Sequence, residues 1–174
     1  MITILGTQGT IRDIESFVQQ LLEFSKQENL VIQAFDARVI YGKDHLISAT
    51  IHAKRAFEQG TNATNSLALE ILLYAAGERQ IQKAIKKMGV KKGKQQIVFL
   101  LTDSSPQIIM KNIDKAVIRR LVKTFQLTVD AEIIKGDRDT LRRFGITEIE
   151  LSTTPEDRYS DLILEKIALV DIIK

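Results

Sequence analysis

Hydrophobic and polar positions repeat along the chain with two periods, one typical of β-strands and one of helices. Together these two patterns predict the fold. Three short stretches have the apolar or alternating character of β-strands: residues 2–5 (ITIL), 30–40 (LVIQAFDARVI) and 95–102 (QQIVFLLT). The third is a continuous apolar run, which is typical of a central strand covered on both faces. Residues 148–151 (EIEL) are a weaker candidate for a fourth strand.

The longer stretches repeat their apolar residues every three or four positions, as helices do. We predict Thr10 and Ser105 as the N-caps of two of these helices, and Gly60 and Gly77 as the residues that end two others. The predicted helices cover residues 10–27, 43–60, 64–77, 79–89, 105–123, 137–145 and 155–174. We therefore predict a mixed α/β fold over residues 1–174, a single domain with a small central β-sheet flanked by about seven helices.

The composition narrows the class of protein. The chain has 174 residues, 44% of them hydrophobic and 27% charged, which is ordinary for a globular domain. It contains no cysteine, no apolar run long enough to cross a bilayer and no secretory pattern at its start. We therefore expect a cytoplasmic protein that makes no contact with a membrane. The net charge of +3 is too small to predict a nucleic-acid partner without a clustered distribution.

The predicted helix 43–60 has one polar face. Its members are three or four residues apart and line up along the helix: His45, Ser48, His52, Arg55 and Gln59. Two histidines about 10 Å apart on a straight helix are poorly placed to hold one metal ion, so we expect neither a metal nor a cofactor. The donors suit an RNA backbone or base edges, although a plain solvated surface explains the pattern equally well.

Glu70 is a carboxylate inside an otherwise apolar helix. An ionised carboxylate needs a partner when it is buried, so Glu70 must lie at an edge, carry a proton or accept hydrogen bonds. We expect its donor to be Arg79 or the polar face of the preceding helix, and we assign Glu70 and Gly77 a structural role. A hydrolase that uses Glu70 and His45 for acid–base chemistry is the alternative. Because the sequence has no nucleophile elbow, phosphate loop or metal-ligand motif, we expect no enzyme activity.

The predicted helix 79–89 is cationic along one side. Arg79 and Gln80 stand at its start, where free backbone N–H groups attract anions. Lys83, Lys86 and Lys87 follow, and they would extend the attraction along a polyanion. Tyr74, in the helix before it, would add a stacking surface if its ring were exposed.

Two of these stretches resemble a known family. Residues 36–57 (DARVIYGKDHLISATIHAKRAF) and 65–90 (NSLALEILLYAAGERQIQKAIKKMGV) are similar to the small kinase-binding subunit of the KEOPS complex, called the PRPK-binding protein in animals. The similarity is strong over residues 34–102. The flanking thirds agree in length and helix placement more than in identity.

The resemblance implies a non-enzymatic regulatory subunit in tRNA processing. Such a subunit binds and stimulates the small atypical kinase of the complex, and reaches the transferase and dimerisation subunits only through that kinase. It also captures the 3′ CCA end of tRNA for threonylcarbamoyl modification of adenosine 37. On this basis the candidate RNA-binding residues are Arg38, His45, His52, Arg55, Asn65, Arg79, Gln80, Lys83, Lys86 and Lys87. A purely structural kinase activator without RNA contact remains an alternative.

The last predicted helix is the candidate kinase-binding surface. It holds more apolar residues than one inward stripe requires, which indicates either a second partner or deep burial in its own core. With the resemblance favouring a partner, the residues we select are Leu162, Ile163, Leu169, Val170 and Ile173.

Overall fold

The computed structural model describes residues 1–107 and 112–173. Within them lies a four-stranded antiparallel sheet, formed by β1 (Ile2–Ile11), β2 (Val31–Asp36), β3 (Gly93–Thr102) and β4 (Thr128–Val129) in the order β2-β3-β1-β4. The apolar run in β3 lies between β2 and β1, and its five residues from 97 to 101 are fully buried. The prediction of a central strand covered on both faces is confirmed.

Eight α-helices occur in the described part of the chain, so the mixed α/β prediction is confirmed. They are α1 (Ile14–Glu28), α2 (Gly42–Gln59), α3 (Leu67–Ala76), α4 (Ile81–Met88), α5 (Lys115–Thr124), α6 (Arg138–Phe144), α7 (Glu148–Thr153) and α8 (Tyr159–Leu169). Short 3-10 segments cover Ala37–Val39, Ala131–Ile134 and Glu156–Arg158. Among these described helices, none combines the length and the apolar character that crossing a bilayer requires.

The helices form one layer on each face of the sheet. On one face α1 and α5 enclose a cluster in which the rings of Phe17 and Phe125 meet edge to face, 5.2 Å apart. On the other face α2 and α3 pack on each other and on α8. This second layer brings the C-terminal part of α2, the end of α3 and the residues after α8 to one place.

Four predictions of element type or boundary are wrong, and two of them concern strands. Thr10 is not an N-cap, because β1 continues through Ile11 and pairs Thr10 with Lys94. The cap of α1 is Asp13, whose side chain accepts a hydrogen bond from the Ser16 N–H at 2.8 Å. The strand predicted over 30–40 ends at 36 and gives way to a 3-10 turn, since the Asp36 carboxylate accepts from the Arg38 N–H.

The other two differences concern helix starts. Residues 148–151 begin helix α7 rather than a strand, because Thr147 and Glu150 form a reciprocal capping box. Helix α5 begins at Lys115, capped by Asp114, and residues 105–107 are not helical. The part of the predicted 105–123 helix at residues 108–111 lies outside the described residues.

Candidate nucleic-acid interface

A polar cleft of about 310 Å³ opens where α2, α3, α4 and the end of the chain meet. Its walls are Arg55, Gln59, Thr61, Tyr74, Arg79 and Asp171. Two residues of the predicted RNA-binding set, Arg55 and Arg79, are thereby brought to one site. Arg55 is exposed and makes no hydrogen bond or ion pair within the described residues, so its guanidinium can take a ligand.

The turn at Gly77 brings Arg79 to this cleft. Gly77 ends α3 in the left-handed region, with φ of 65°, and its N–H donates to the Tyr74 carbonyl at 3.0 Å. A side chain at Gly77 would find ordinary contact distances, so the backbone conformation is what favours glycine here. After the turn, Arg79 Nη1 donates to the Val170 carbonyl at 3.0 Å.

The residues after α8 close the cleft. The Asp171 carboxylate accepts one hydrogen bond from the Tyr74 hydroxyl and a second from His52 Nδ1, the latter at 2.8 Å. The His52 ring stacks on the Tyr74 ring with the centroids 5.5 Å apart. Tyr74 is therefore buried among protein groups and offers no exposed face on which a base could stack.

The cleft combines fixed cations with one ionised acid. Partial burial works to raise the pKa of Asp171, but the hydrogen bonds from Tyr74 and His52 outweigh it and hold that pKa below its ordinary value. Burial, reinforced by the bond to Asp171, raises the pKa of the Tyr74 hydroxyl. At neutral pH the Tyr74 hydroxyl is therefore protonated and donates a hydrogen bond, and Asp171 is an ionised carboxylate. The positive charge of Arg55 also favours the ionised form of Asp171.

His45 does not belong to the site, which corrects the prediction. Its side chain is buried in the core, where Nδ1 accepts from the Tyr41 N–H at 3.2 Å and Nε2 donates to the Ala75 carbonyl at 2.8 Å. Its ring meets the Phe144 ring edge to face at 5.4 Å. Burial lowers the pKa of His45 to about 4. Both ring nitrogens are used, so an RNA chain has nothing to bind there.

Arg38 and Asn65 lie away from the cleft. Arg38 precedes α2, about 20 Å along that helix from Arg55, and forms an ion pair with Asp36 at 2.7 Å. It lines a separate cavity of about 280 Å³ that also contains Arg143. Asn65 lines another, beside α2, of about 410 Å³. The structure therefore does not join these two residues to the other candidates.

The predicted lysine row is divided. Lys83 and Lys86 are exposed on α4, as is Gln80 at its start. Lys87 is half-buried: its ammonium donates to the Ala76 carbonyl at the end of α3 and lies 3.8 Å from the centre of the Phe144 ring. Burial lowers the pKa of Lys87. The ammonium group of Lys87 thus binds the C-terminal end of α3, where the helix dipole attracts cations, and not an external ligand.

Glu70 has a different partner from the one predicted. Its buried carboxylate accepts hydrogen bonds from the Ala63 N–H at 3.1 Å, the Thr64 N–H at 2.9 Å and the Thr64 hydroxyl at 3.0 Å. Neither Arg79 nor the polar face of α2 takes part. Glu70 thereby binds the loop between α2 and α3 at residues 63–64, through a contact that sequence spacing did not reveal.

The candidate kinase-binding residues are also divided. Leu162, Ile163 and Val170 are buried in the core formed by α2, α3 and α8, so they are not available to a partner. Leu169 and Ile173 are exposed. Ile172, which the selection omitted, is the most open of the group at 75% exposure. The helix ends at Leu169, and the helical spacing assumed for the following residues does not hold.

One apolar surface was missed altogether. Ile14, Val18 and Leu22 on α1 and Ile85 on α4 are exposed and line a groove of about 380 Å³ beside β2. Helical spacing alone predicts that Ile85 faces inward beside Ala84 and Met88, but its side chain is 47% exposed. The signal was present in the sequence, because α1 carries Ile14, Val18 and Leu22 in addition to the buried stripe of Phe17, Leu21 and Phe24.

Comparison with known proteins agrees with the resemblance. The KEOPS complex subunit Cgi121 of Pyrococcus abyssi (strain GE5 / Orsay) is 39% identical to this chain over 66 residues. That match covers 37% of this chain and 39% of the relative's length. A family model described as kinase binding protein CGI-121 matches residues 10–171, which include every element of the cleft. The chain belongs to the CGI-121 family of kinase-binding proteins.

Proposed function

We propose that this chain is the non-catalytic, kinase-binding subunit of a KEOPS-type complex and that its polar cleft holds the single-stranded 3′ CCA end of tRNA. It binds and stimulates a small atypical kinase, and through it supports threonylcarbamoyl modification of adenosine 37. The observation that carries the RNA-binding half of the proposal is the convergence of Arg55 and Arg79 on one cleft.

The chemistry of the cleft suits an unpaired RNA end. Guanidinium groups bind phosphate oxygens through two parallel N–H donors, and Arg55 has its donors free of protein partners in the described residues. Gln59 and Thr61 add polar groups that can contact the sugar or a base edge. The exposed Lys83 and Lys86 extend the positive charge along α4. Each phosphate neutralised on single-stranded RNA steepens the salt dependence by about 0.7 in log–log slope.

The RNA-binding proposal is tested with intact tRNA and tRNA trimmed of its terminal CCA. We expect trimming, or Arg55→Glu, to weaken binding about tenfold or more in a fluorescence-polarisation titration. Arg55 is the better position for charge reversal, because Arg79→Glu would also remove the bond to Val170. Arg119→Glu is the matched control, since Arg119 is an exposed arginine on α5, across the sheet. Equal affinity for intact and trimmed tRNA would refute capture of the tail.

For the kinase we propose the apolar surface at the end of the chain, formed by Leu169, Ile172 and Ile173. Leu169→Glu with Ile173→Glu places two charges on it and should abolish co-purification with the kinase while leaving RNA binding intact. Ile149→Glu on α7 is the control, because Ile149 is 76% exposed and lies elsewhere. If Val18→Glu in the groove blocks the kinase and the double variant does not, the kinase binds at the groove instead.

A hydrolase based on Glu70 and His45 finds no support in the geometry. The carboxylate is used by the loop at 63–64, and both imidazole nitrogens bond to backbone groups. A structural kinase activator without RNA contact shares the kinase surface of the proposal. Charge reversal at Lys83 and Lys86 distinguishes the two functions. If the subunit binds RNA, the complex should lose tRNA-modification activity. If the subunit only activates the kinase, that activity should be unchanged.

A further inference from the structure

Asp171 is an unexpected residue in a cleft that attracts a polyanion. Its carboxylate repels phosphate, yet it forms part of the same wall as Arg55 and Arg79. It is also held firmly, by the Tyr74 hydroxyl on one oxygen and by His52 Nδ1 on the other. A negative charge that is fixed at this point needs an explanation other than attraction of the RNA backbone.

Anchoring the end of the chain is an incomplete explanation. Val170, the preceding residue, is buried at 2% exposure, and its carbonyl accepts from Arg79 at 3.0 Å. The backbone after α8 is further tied by the Ile173 N–H, which donates to the Leu169 carbonyl at 3.0 Å. The segment is therefore fixed on both sides of Asp171 without help from its charge.

The carboxylate keeps capacity for a further hydrogen bond. An ionised aspartate offers about four lone-pair positions, and the protein uses one on each oxygen. The Asp171 side chain is 44% exposed, and the cleft is the space that it borders. A ligand placed there meets hydrogen-bond acceptors that are pre-oriented and ionised at neutral pH.

Resting on the proposed RNA binding, we propose that Asp171 reads a base at the RNA end, accepting a hydrogen bond from the exocyclic amino group of cytosine or adenine. Carboxylates accept from cytosine N4 in this way. Uracil and hypoxanthine present a carbonyl oxygen at the corresponding position, which the carboxylate repels. Arg55 and Arg79 bind the adjoining phosphates. The two arginines thus attract the RNA backbone, while the carboxylate of Asp171 selects the base.

The test uses short fluorescent single-stranded RNAs that end in CCA, UUA or CCI, where I is inosine. We expect wild-type protein to bind the CCA end about tenfold more tightly than at least one of the other two. In Asp171→Asn that preference should fall to within about twofold, because an amide can turn its NH₂ group toward a carbonyl. Asp161→Asn, on the exposed side of α8, should keep the full preference.

The outcomes separate this inference from the function on which it rests. If wild-type protein binds all three RNAs equally, or if Asp171→Asn keeps the full preference, the base-reading role is wrong while RNA binding stands. If wild-type protein binds none of them and no tRNA, the proposed RNA binding fails as well. The comparison among the three RNAs needs no variant and tests whether any base is read. Asp171→Ala, which removes the carboxylate without adding an amide, is the second variant at this position. It should lose the preference as Asp171→Asn does, and a full preference in it would overturn the role of Asp171.

Discussion

The burial of His45 predicts a loss of stability in mild acid. Burial lowers the pKa of His45 to about 4, against an ordinary value of 6.5 in the unfolded chain. Between these two values the unfolded chain binds a proton that the folded chain does not, so stability falls as the pH falls. The contribution of neutral His45 is fully present above about pH 6.5 and is lost by about pH 4.

The size of the effect follows from the two pKa values. The whole shift corresponds to about 3 kcal/mol, and the part reached between pH 7.5 and pH 5.0 is about 2 kcal/mol. The carboxylates with lowered pKa values, such as Glu150 at about 2, stay ionised in both states over most of this range. They lose their contribution at lower pH. On the interval from pH 7.5 to 5.0 the contribution of His45 is therefore the largest one.

Urea unfolding at the two pH values measures this difference. For the wild type we expect the free energy of unfolding to drop by about 2 kcal/mol, or about 1 M in the midpoint. His45→Gln is expected to be less stable at both pH values but to lose the pH-dependent part. His52→Gln, which changes the other histidine of the chain, is the control and should keep it. A His45→Gln variant that still loses 2 kcal/mol would refute the assignment.

Two further predictions concern stability. Glu70→Ala leaves the Thr64 N–H buried without its acceptor, so it should cost about 3 kcal/mol and lower Tm by about 6–12 °C, whereas Glu58→Ala on the exposed side of α2 should leave Tm unchanged. Calorimetry checks both, and equal Tm values for the two variants would contradict the role given to Glu70. Gly136 has φ of +70°, and a Cβ there would lie 2.8 Å from the Tyr41 ring, whereas Gly42 has φ of +77° and open space. Gly136→Ala should therefore cost at least 1 kcal/mol more than Gly42→Ala in urea unfolding, and equal costs would show that the contact relaxes freely.

Periodicity was sufficient for the elements that lie inside one layer. The continuous apolar run of β3 identified a central strand, and the glycines at 60 and 77 marked helix ends where the structure has them. It failed where a short polar side chain decides the local conformation. Asp13 and Thr147 cap helices at positions that apolar spacing alone does not distinguish from their neighbours.

The site was only partly predictable for a geometric reason. Helical spacing placed His45 and Arg55 on one face, but the ten residues between them fall about 80° short of three full turns, and neighbouring helices cover the His45 end. Arg79 was suggested by its place at a helix start. Asp171 gave no local signal, because its partner Tyr74 is 97 residues away in sequence.

The residues after α8 form one wall of the cleft and also carry an exposed apolar surface. Asp171 is held by His52 and Tyr74, and the next two residues are the exposed Ile172 and Ile173. A partner that binds Ile172 and Ile173 will consequently shift or stabilise Asp171, the residue that lies beside the arginines in the cleft. If binding of that partner changes the affinity for RNA by some factor, thermodynamic linkage requires bound RNA to change the affinity for the partner by the same factor.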